Sequence, residues 1–332
     1  MNSIPVISLH DYRTKGLSGV DCDALAHACK DHGFFIVGQH GGERAVDNAL
    51  KQAREFFALP KAQKKEVQRG EKNPLGYFDR ELTKRRRDQK EVFDFKTSGK
   101  LSADPMRLTP WPTSLPGFKP ALTDFFSTFE GLAEEIMRLM LVSLGFSVEA
   151  SRVMSEENFG ELHTSAARLN FYPIDDPLSE DEVKSVTPLG DMALHHHTDP
   201  GAITLLIQDD AGGLQAFSNS LGWVDVPPSE NSIVVNVGDV MQVWTNDECV
   251  AGVHRVVPVE RDKGRYSLPF FYQPRIDSVV EPWPMKDKKA LYTSFTWRDY
   301  ITGRVTDNFA DYGVDDIPVS YTHLRAHETD RY

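Results

Sequence analysis

The sequence predicts an α+β protein with a mainly β core, in which a helix-rich first half precedes a strand-rich second half that closes as an antiparallel barrel or sandwich. Three observations predict it. Between Pro120 and Gly145 the apolar residues Leu122, Phe125, Phe126, Phe129, Leu132, Ile136, Leu139 and Met140 recur at steps of three and four, one face of a long amphipathic helix. From Arg168 onward, short β-branched and aromatic runs are separated by Gly, Pro, Asn and Asp, the texture of regularly spaced antiparallel strands. The 332 residues, 40% hydrophobic and 26% charged, suffice for one large or two ordinary globular units with a sizeable core.

Each element follows from its local pattern. Ile4 to Leu9 alternates and is rich in β-formers, a short strand, and Asp21 to Asp31 reads as a helix. Gly33 to Val37 is a buried strand, and Ala45, Val46, Ala49, Leu50, Ala53, Phe56 and Phe57 lie at helical spacing up to the stop at Leu59-Pro60. After the long helix come strands at Arg168 to Tyr172, Ala202 to Gln208, Ser232 to Val237, Val240 to Thr245 and Tyr266 to Tyr272. Ile174 to Pro188, acidic and proline-rich, reads as a loop at a barrel mouth, and Phe295 to Ile301 as a closing helix. No internal repeat of fixed period is present.

Composition narrows the function. With 37 Lys+Arg against 49 Asp+Glu the net charge is −12, which disfavours a general surface for nucleic acid or anionic lipid and favours a small-molecule partner. No apolar stretch approaches the roughly 20 residues that cross a bilayer, and the N-terminus lacks the basic segment and apolar core of a secretory signal. Cys22, Cys29 and Cys249 are too few and scattered for a disulfide framework, so a reducing, cytoplasmic setting is expected.

The chemistry concentrates at His195-His196-His197-Thr198-Asp199-Pro200-Gly201. Residues two apart on a strand point the same way, so His197 and Asp199 can present an imidazole nitrogen and a carboxylate oxygen to one point. His254 lies 55 residues after Asp199 in the strand-rich half and can complete a two-His, one-carboxylate triad, which leaves coordination positions open and suits non-haem Fe(II) and O₂. Among eleven histidines such a set also arises from ordinary core and surface residues, so further residues must decide. Arg265 and Ser267 share a face of the last apolar strand. A guanidinium turned inward there is costly unless an anion pairs with it, and its planar fork matches a carboxylate. Asn170 and Tyr172 add inward polar groups by the same alternation.

Taken in order, Asn170-x-Tyr172-Pro173, the run His197 to Leu206, Gly213-Leu214-Gln215, Gly222-Trp223, Val235 to Asp239, Thr245-Asn246-Asp247, Val253 to Val256 and Arg265-Tyr266-Ser267 resemble the isopenicillin N synthase-like Fe(II)/2-oxoglutarate-dependent dioxygenases. Ile4 to Ile7, His32 to Phe35 and Phe56 to Pro60 resemble that family's N-terminal region, so the resemblance covers nearly the whole chain. It implies a double-stranded β-helix, or jelly roll, with the helical N-terminal region packed around it. It further implies Fe(II) held by His197, Asp199 and His254, and 2-oxoglutarate whose far carboxylate pairs with Arg265 and Ser267, assisted by Tyr172, while Asn170 orients the C1 carboxylate. O₂ is the other cosubstrate and ascorbate the accessory reductant. The implied reaction releases succinate and CO₂ and, through an Fe(IV)-oxo species, hydroxylates, desaturates or cyclises a small organic molecule of secondary metabolism.

The sequence is also compatible with two other readings: an iron/O₂ oxidase that uses no 2-oxoglutarate, like isopenicillin N synthase or aminocyclopropane-carboxylate oxidase, and a non-catalytic small-molecule sensor. The expected organisation is an N-terminal region at 1–120, the long helix and connection at 121–160, the jelly-roll core at 161–280, a closing helix at 281–319, and a tail at 320–332 that resembles a translated sequencing adapter and is expected not to belong to the fold. A monomer is expected. Candidate pocket residues are Tyr77, Phe78, Phe93, Phe95, Phe271 and the 174–188 loop, with core packing the competing explanation for each aromatic. His195 is expected at the rim as a hydrogen-bonding residue with His196 pointing away, and Lys84 to Arg87 as a solvated loop diluted by Asp79, Glu81, Asp88 and Glu91.

Overall fold

The computed structural model describes residues 4–70, 73–83, 86–97, 108–160, 163–258, 263–283 and 289–307. The first hundred residues supply β1 (Val6–Ser8), α1 (Leu9–Lys15), α2 (Cys22–Asp31), β2 (Phe34–Gly38), α3 (Glu43–Phe57), α4 (Lys61–Lys65), β3 (Gly76–Phe78), β4 (Leu82–Thr83), β5 (Arg86–Arg87) and β6 (Glu91–Phe95). Two helices, α5 (Phe118–Ser143) and α6 (Val148–Asn158), lead to β7 (Ala166–Tyr172), α7 (Glu180–Val183), β8 (Leu194–His197), β9 (Ile203–Gln208) and β10 (Leu214–Ser218). Then come β11 (Gly222–Asp225), β12 (Ser232–Val237), α8 (Asp239–Trp244), β13 (His254–Val256), β14 (Arg265–Tyr272), β15 (Val279–Val280), β16 (Phe295–Thr296) and α9 (Trp297–Asp307).

Twelve strands form an eight-stranded sheet ordered β1-β2-β12-β9-β14-β7-β6-β3 and a four-stranded sheet ordered β11-β10-β13-β8, while β4-β5 and β15-β16 are separate pairs. Inside, Phe34, Leu206, Val234 and Tyr172 of the large sheet meet Leu194, Leu214, Ala216 and Val256 of the small one, so the two sheets close over one interior as a jelly roll. The outer face of the large sheet carries Phe35, Val37, Leu169, Leu205, Val235 and Phe270 against α3 and α5. Because β2 and β12 are buried on both faces, they read as continuous apolar runs rather than as alternation. The predicted face of α5 is fully buried, and Phe126 meets Phe270 edge to face at 5.1 Å. At about 1.5–3 kcal/mol per large apolar side chain this seam anchors the helical layer to the barrel.

The segment Val240–Thr245 is a correction: it is the helix α8 and not a strand. Val240, Met241, Val243 and Trp244 are all buried, so no alternation distinguishes the two. The helix is favoured because the N–H groups at its start, which have no partner within the helix, find carbonyls elsewhere. Gly238 N–H donates to Ala202 O, Asp239 N–H to Asp199 O (2.8 Å each) and Val240 N–H to Gly201 O at 3.1 Å. Gly238 is needed here, since a Cβ would lie 2.2 Å from Gly201 O. Asn246 and Asp247, at φ 52° and 69°, end the helix. The expected mouth loop carries the short α7, opened by a Ser179–Glu182 capping box. The closing helix is α9, and the 320–332 tail lies outside the described residues.

Candidate metal centre

β8 and β13 are antiparallel neighbours with His197 opposite His254, which sets their ring centroids 4.2 Å apart. Asp199 is two residues beyond His197, but it lies past the end of β8 in the turn that α8 ties down. Strand alternation therefore gives the right convergence for a partly different reason. His197 Nε2 and His254 Nε2 lie 3.7 and 4.0 Å from Asp199 Oδ1, and one ligand atom from each of the three falls within 4.8 Å of the others.

The remaining atoms of these side chains are occupied. His197 Nδ1 contacts His195 O and His254 Nδ1 contacts Gly252 O, both at 2.9 Å, which places the ring proton on Nδ1 and leaves Nε2 as the lone-pair donor. Thr204 Oγ1 at 2.6 Å and Asn236 Nδ2 at 2.9 Å donate to Asp199 Oδ2, leaving Oδ1 for the centre. Thr204 and Asn236 are register partners on β9 and β12. Burial, with His254 alongside, pushes His197 down to about 3, so its imidazole is neutral. Burial pushes Asp199 up, but His254, His197 and the two hydrogen bonds outweigh it and hold the carboxyl below its usual range. Two imidazole nitrogens and one carboxylate oxygen form a donor set that fits a divalent first-row metal ion such as Fe(II).

Beside this centre β7 and β14 pair Tyr172 with Arg265 and Asn170 with Ser267, putting all four side chains on the interior face. Arg265 is 1% exposed; its Nε donates to Gly212 O at 3.0 Å, its Nη2 faces Gln208 Oε1 at 3.4 Å, and its guanidinium lies 5.0 Å from the Tyr172 ring centre. Among the described residues, Nη1 has no hydrogen-bond partner and no carboxylate pairs with this buried cation. Asn170 Nδ2 donates to Ser267 Oγ at 3.2 Å. An unbalanced buried guanidinium next to a hydroxyl fits the far carboxylate of a small oxo acid.

The other expected residues separate. Phe78 and Phe271 are half-buried and face the interior, with Phe271 opposite Thr204 and hence next to Asp199. Tyr77, Phe93 and Phe95 instead point into the outer core among Phe56, Trp111 and Phe118, so they do not line the pocket. His195 sits at the rim, Nε2 3.2 Å from Asp191 and Nδ1 3.6 Å from Asp88, whose carboxylate pushes its pKa up, while His196 turns away onto Trp223. The solvated reading of Lys84 to Arg87 is corrected at Arg87. That residue is 1% exposed and gives a two-pronged pair to Asp176, which pins the mouth loop to β5, whereas Lys84 and Arg85 lie outside the described residues. Residue patterns also passed over a buried ionic cluster of Arg69, Lys90 and Arg168 with Glu81, Asp88 and Asp94. Its signal was available in Asp94 and Arg168, which break apolar strands on their inward-facing positions, and in Lys90 immediately before β6.

A jelly roll that brings together two imidazoles, a carboxylate and an unpaired interior guanidinium defines a non-haem metal oxygenase that uses a small acidic cosubstrate. The comparisons agree. Residues 163–274 match the 2OG-Fe(II) oxygenase superfamily, and residues 4–114 match the N-terminal region of non-haem dioxygenases in morphine synthesis. The chain is 32% identical over 305 residues to gibberellin 20 oxidase 2 of Oryza sativa subsp. indica, covering 89% of this chain and 74% of that protein. It is 28% identical over 314 residues to DMR6-like oxygenase 2 of Arabidopsis thaliana, covering 90% and 82%. A full-length Neurospora crassa protein, solved in complex with alpha-KG and 5-formyluracil, superposes with a TM-score of 0.74 at 28% identity over 91% of this chain and 95% of that one. The chain belongs to the Fe(II)/2-oxoglutarate-dependent oxygenases. Its cofactors are Fe(II) and 2-oxoglutarate, and the relatives support this reading rather than the oxidase or sensor alternatives.

Proposed function

We propose that His197, Asp199 and His254 hold the Fe(II), that Arg265 and Ser267 take the far carboxylate of 2-oxoglutarate with Tyr172 beside them, and that Asn170 orients its C1 end. The observation that carries this is the convergence of Nε2, Nε2 and Oδ1 beside the unpartnered Nη1 of Arg265. Bound Fe(II), 2-oxoglutarate and O₂ supply an oxidant strong enough for an unactivated C–H bond, with succinate and CO₂ released. The chain's own residues do the rest. Thr204 and Asn236 fix which carboxylate oxygen of Asp199 faces the centre, and the carbonyls of His195 and Gly252 fix the ring orientations. Phe34 packs edge-on against His254 at 5.7 Å, and a Cβ at Gly252 would strike its ring.

The substrate reading is a small organic molecule admitted past His195 and the 174–188 loop, with Phe78 and Phe271 as its apolar walls. Solved relatives carry different guests, 5-formyluracil in the Neurospora crassa protein and JA in JOX2, so what transfers is the shared centre and the scale of the guest. A role in secondary metabolism accords with the matched N-terminal family. A cytoplasmic setting rests on three cysteines that remain free thiols, and among the described residues no helix is long and apolar enough to cross a membrane. A monomer without nucleic acid accords with the −12 charge. The same reading divides the chain at 120, 160, 280 and 319. The deciding experiment is a substrate screen for Fe(II)- and 2-oxoglutarate-dependent succinate release, with product mass read for a gain of oxygen or a loss of two hydrogens. Turnover that survives Asp199→Ala overturns the assignment.

A further inference from the structure

We propose that the closing helix α9 positions the metal centre: Arg304 and Tyr300 hold the backbone from which Asp199 projects, so metal affinity depends on this helix. The proposal rests on Asp199 being a metal ligand. Asp199 lies in no strand, so the direction of its side chain is set by the peptide units on either side of it. The carbonyl preceding it, Thr198 O, accepts from Arg304 Nη2 at 3.0 Å. Its own carbonyl accepts from Asp239 N–H at 2.8 Å. Pro200 further restricts its backbone, since a residue before proline is confined to extended conformations.

The two supports meet at the Asp239 side chain. That carboxylate is 1% exposed; its Oδ2 accepts from Tyr300 Oη at 2.7 Å, and Thr198 and Arg304 also lie against it. Thus Tyr300 braces α8, which holds one side of Asp199, and Arg304 holds the other. The helix itself is anchored away from the centre: Trp297 is fully buried and its Nε1 donates to Thr164 Oγ1 at 2.8 Å, while Thr296 caps the first turn through Asp299 N–H at 3.2 Å. With Thr204 and Asn236 fixing the carboxylate end and α9 fixing the backbone end, Asp199 has both ends held. Arg304 and Tyr300 act through Thr198 O and the Asp239 carboxylate and are positioning residues.

The test is the dissociation constant for Mn(II), titrated into the full-length protein by calorimetry, together with the melting temperature of the metal-free protein. Arg304→Met should weaken Mn(II) binding about tenfold or more, the scale of outer partners of metal ligands. Tyr300→Phe should weaken it less, and Arg304→Lys should recover part of the loss. Arg298→Met, on the exposed side of the same helix, and Thr296→Ala, which loosens the cap, serve as controls. Mn(II) affinity in Arg304→Met and Tyr300→Phe that matches the Arg298→Met control overturns the proposal. So does a loss of the same size in Thr296→Ala that follows the melting temperature, because the effect is then helix docking alone. Asp199→Ala separates the two claims: if it still binds Mn(II) at wild-type affinity, the ligand assignment fails. If it does not bind while Arg304→Met binds normally, only the role of α9 fails.

Discussion

Arg265→Met should have opposite effects on cosubstrate binding and on stability. In the folded chain the guanidinium is buried and, among the described residues, is balanced by no carboxylate and keeps one nitrogen without a partner. A carboxylate about 4 Å from it at an effective dielectric near 20 gains about 4 kcal/mol, and at about 1.4 kcal/mol per tenfold this is nearly three decades of affinity. Ser267 and Asn170 remain as hydrogen-bonding groups, so the expected rise in the 2-oxoglutarate Kd is about 10²- to 10³-fold. Removing the same charge from the cosubstrate-free protein relieves desolvation while giving up the Gly212 contact and the ring contact with Tyr172. Replacing a buried unpaired charge by an apolar side chain of similar length should leave that state unchanged or up to about 2 kcal/mol more stable. The assays are calorimetric titration of 2-oxoglutarate into the Mn(II)-loaded protein and urea unfolding of the metal-free protein. A Kd within about fivefold of wild type would refute the carboxylate pairing, since that corresponds to only about 1 kcal/mol. Marked destabilisation of the free protein would mean Arg265 is a structural strut.

Thr204→Val should free Asp199 Oδ2 from its 2.6 Å donor and weaken Mn(II) binding about 10- to 100-fold with little change in fold, read by the same titration. His195→Ala should keep its full iron content by metal analysis, because its nitrogens face Asp88 and Asp191 rather than the centre; halved iron would place it among the ligands. Asp176→Asn breaks the pair with fully buried Arg87, and with the partial exposure of Asp176 discounted the loss is about 2 kcal/mol in urea unfolding at pH 7. The Arg87 hydrogen bond holds the Asp176 carboxyl below its ordinary 3.8. This contribution is therefore complete above that value and fades as the pH falls through the lowered one, so wild type and variant should converge in acid and stay apart from pH 5 to 8.

Where a function forces residues into a fixed order along strands, the sequence is readable. His197, His254, Asn170, Tyr172, Arg265 and Ser267 are brought together by ladder pairing, and a period of two is enough to predict which of them share a face. Asp199 met the same expectation although it lies outside any strand, because the turn held by α8 and α9 returns it to the centre. Patterns fail where a segment is buried on every side: Val240 to Trp244 carries β-formers yet is helical, and the reason is the set of carbonyls of Asp199, Gly201 and Ala202 awaiting donors. They fail too for aromatics, since Tyr77 and Phe78 are adjacent on β3 and face opposite ways, and only the register, with Tyr77 opposite Phe93 and Phe78 opposite Val92, shows which enters the interior.

Arg87 marks the third limit. Among the basic residues preceding it, no local feature distinguishes a buried guanidinium from a solvated one; the difference is made by Asp176, 89 residues away. Thr204 and Asn236, by contrast, left a readable trace as polar residues inside apolar strands, a placement that costs stability unless both are satisfied. Here one carboxylate oxygen satisfies both. Those two polar residues offset the cost of their burial by holding Asp199 Oδ2, and a buried polar pair at one register position of an apolar ladder is the feature that points from sequence to the support of this carboxylate.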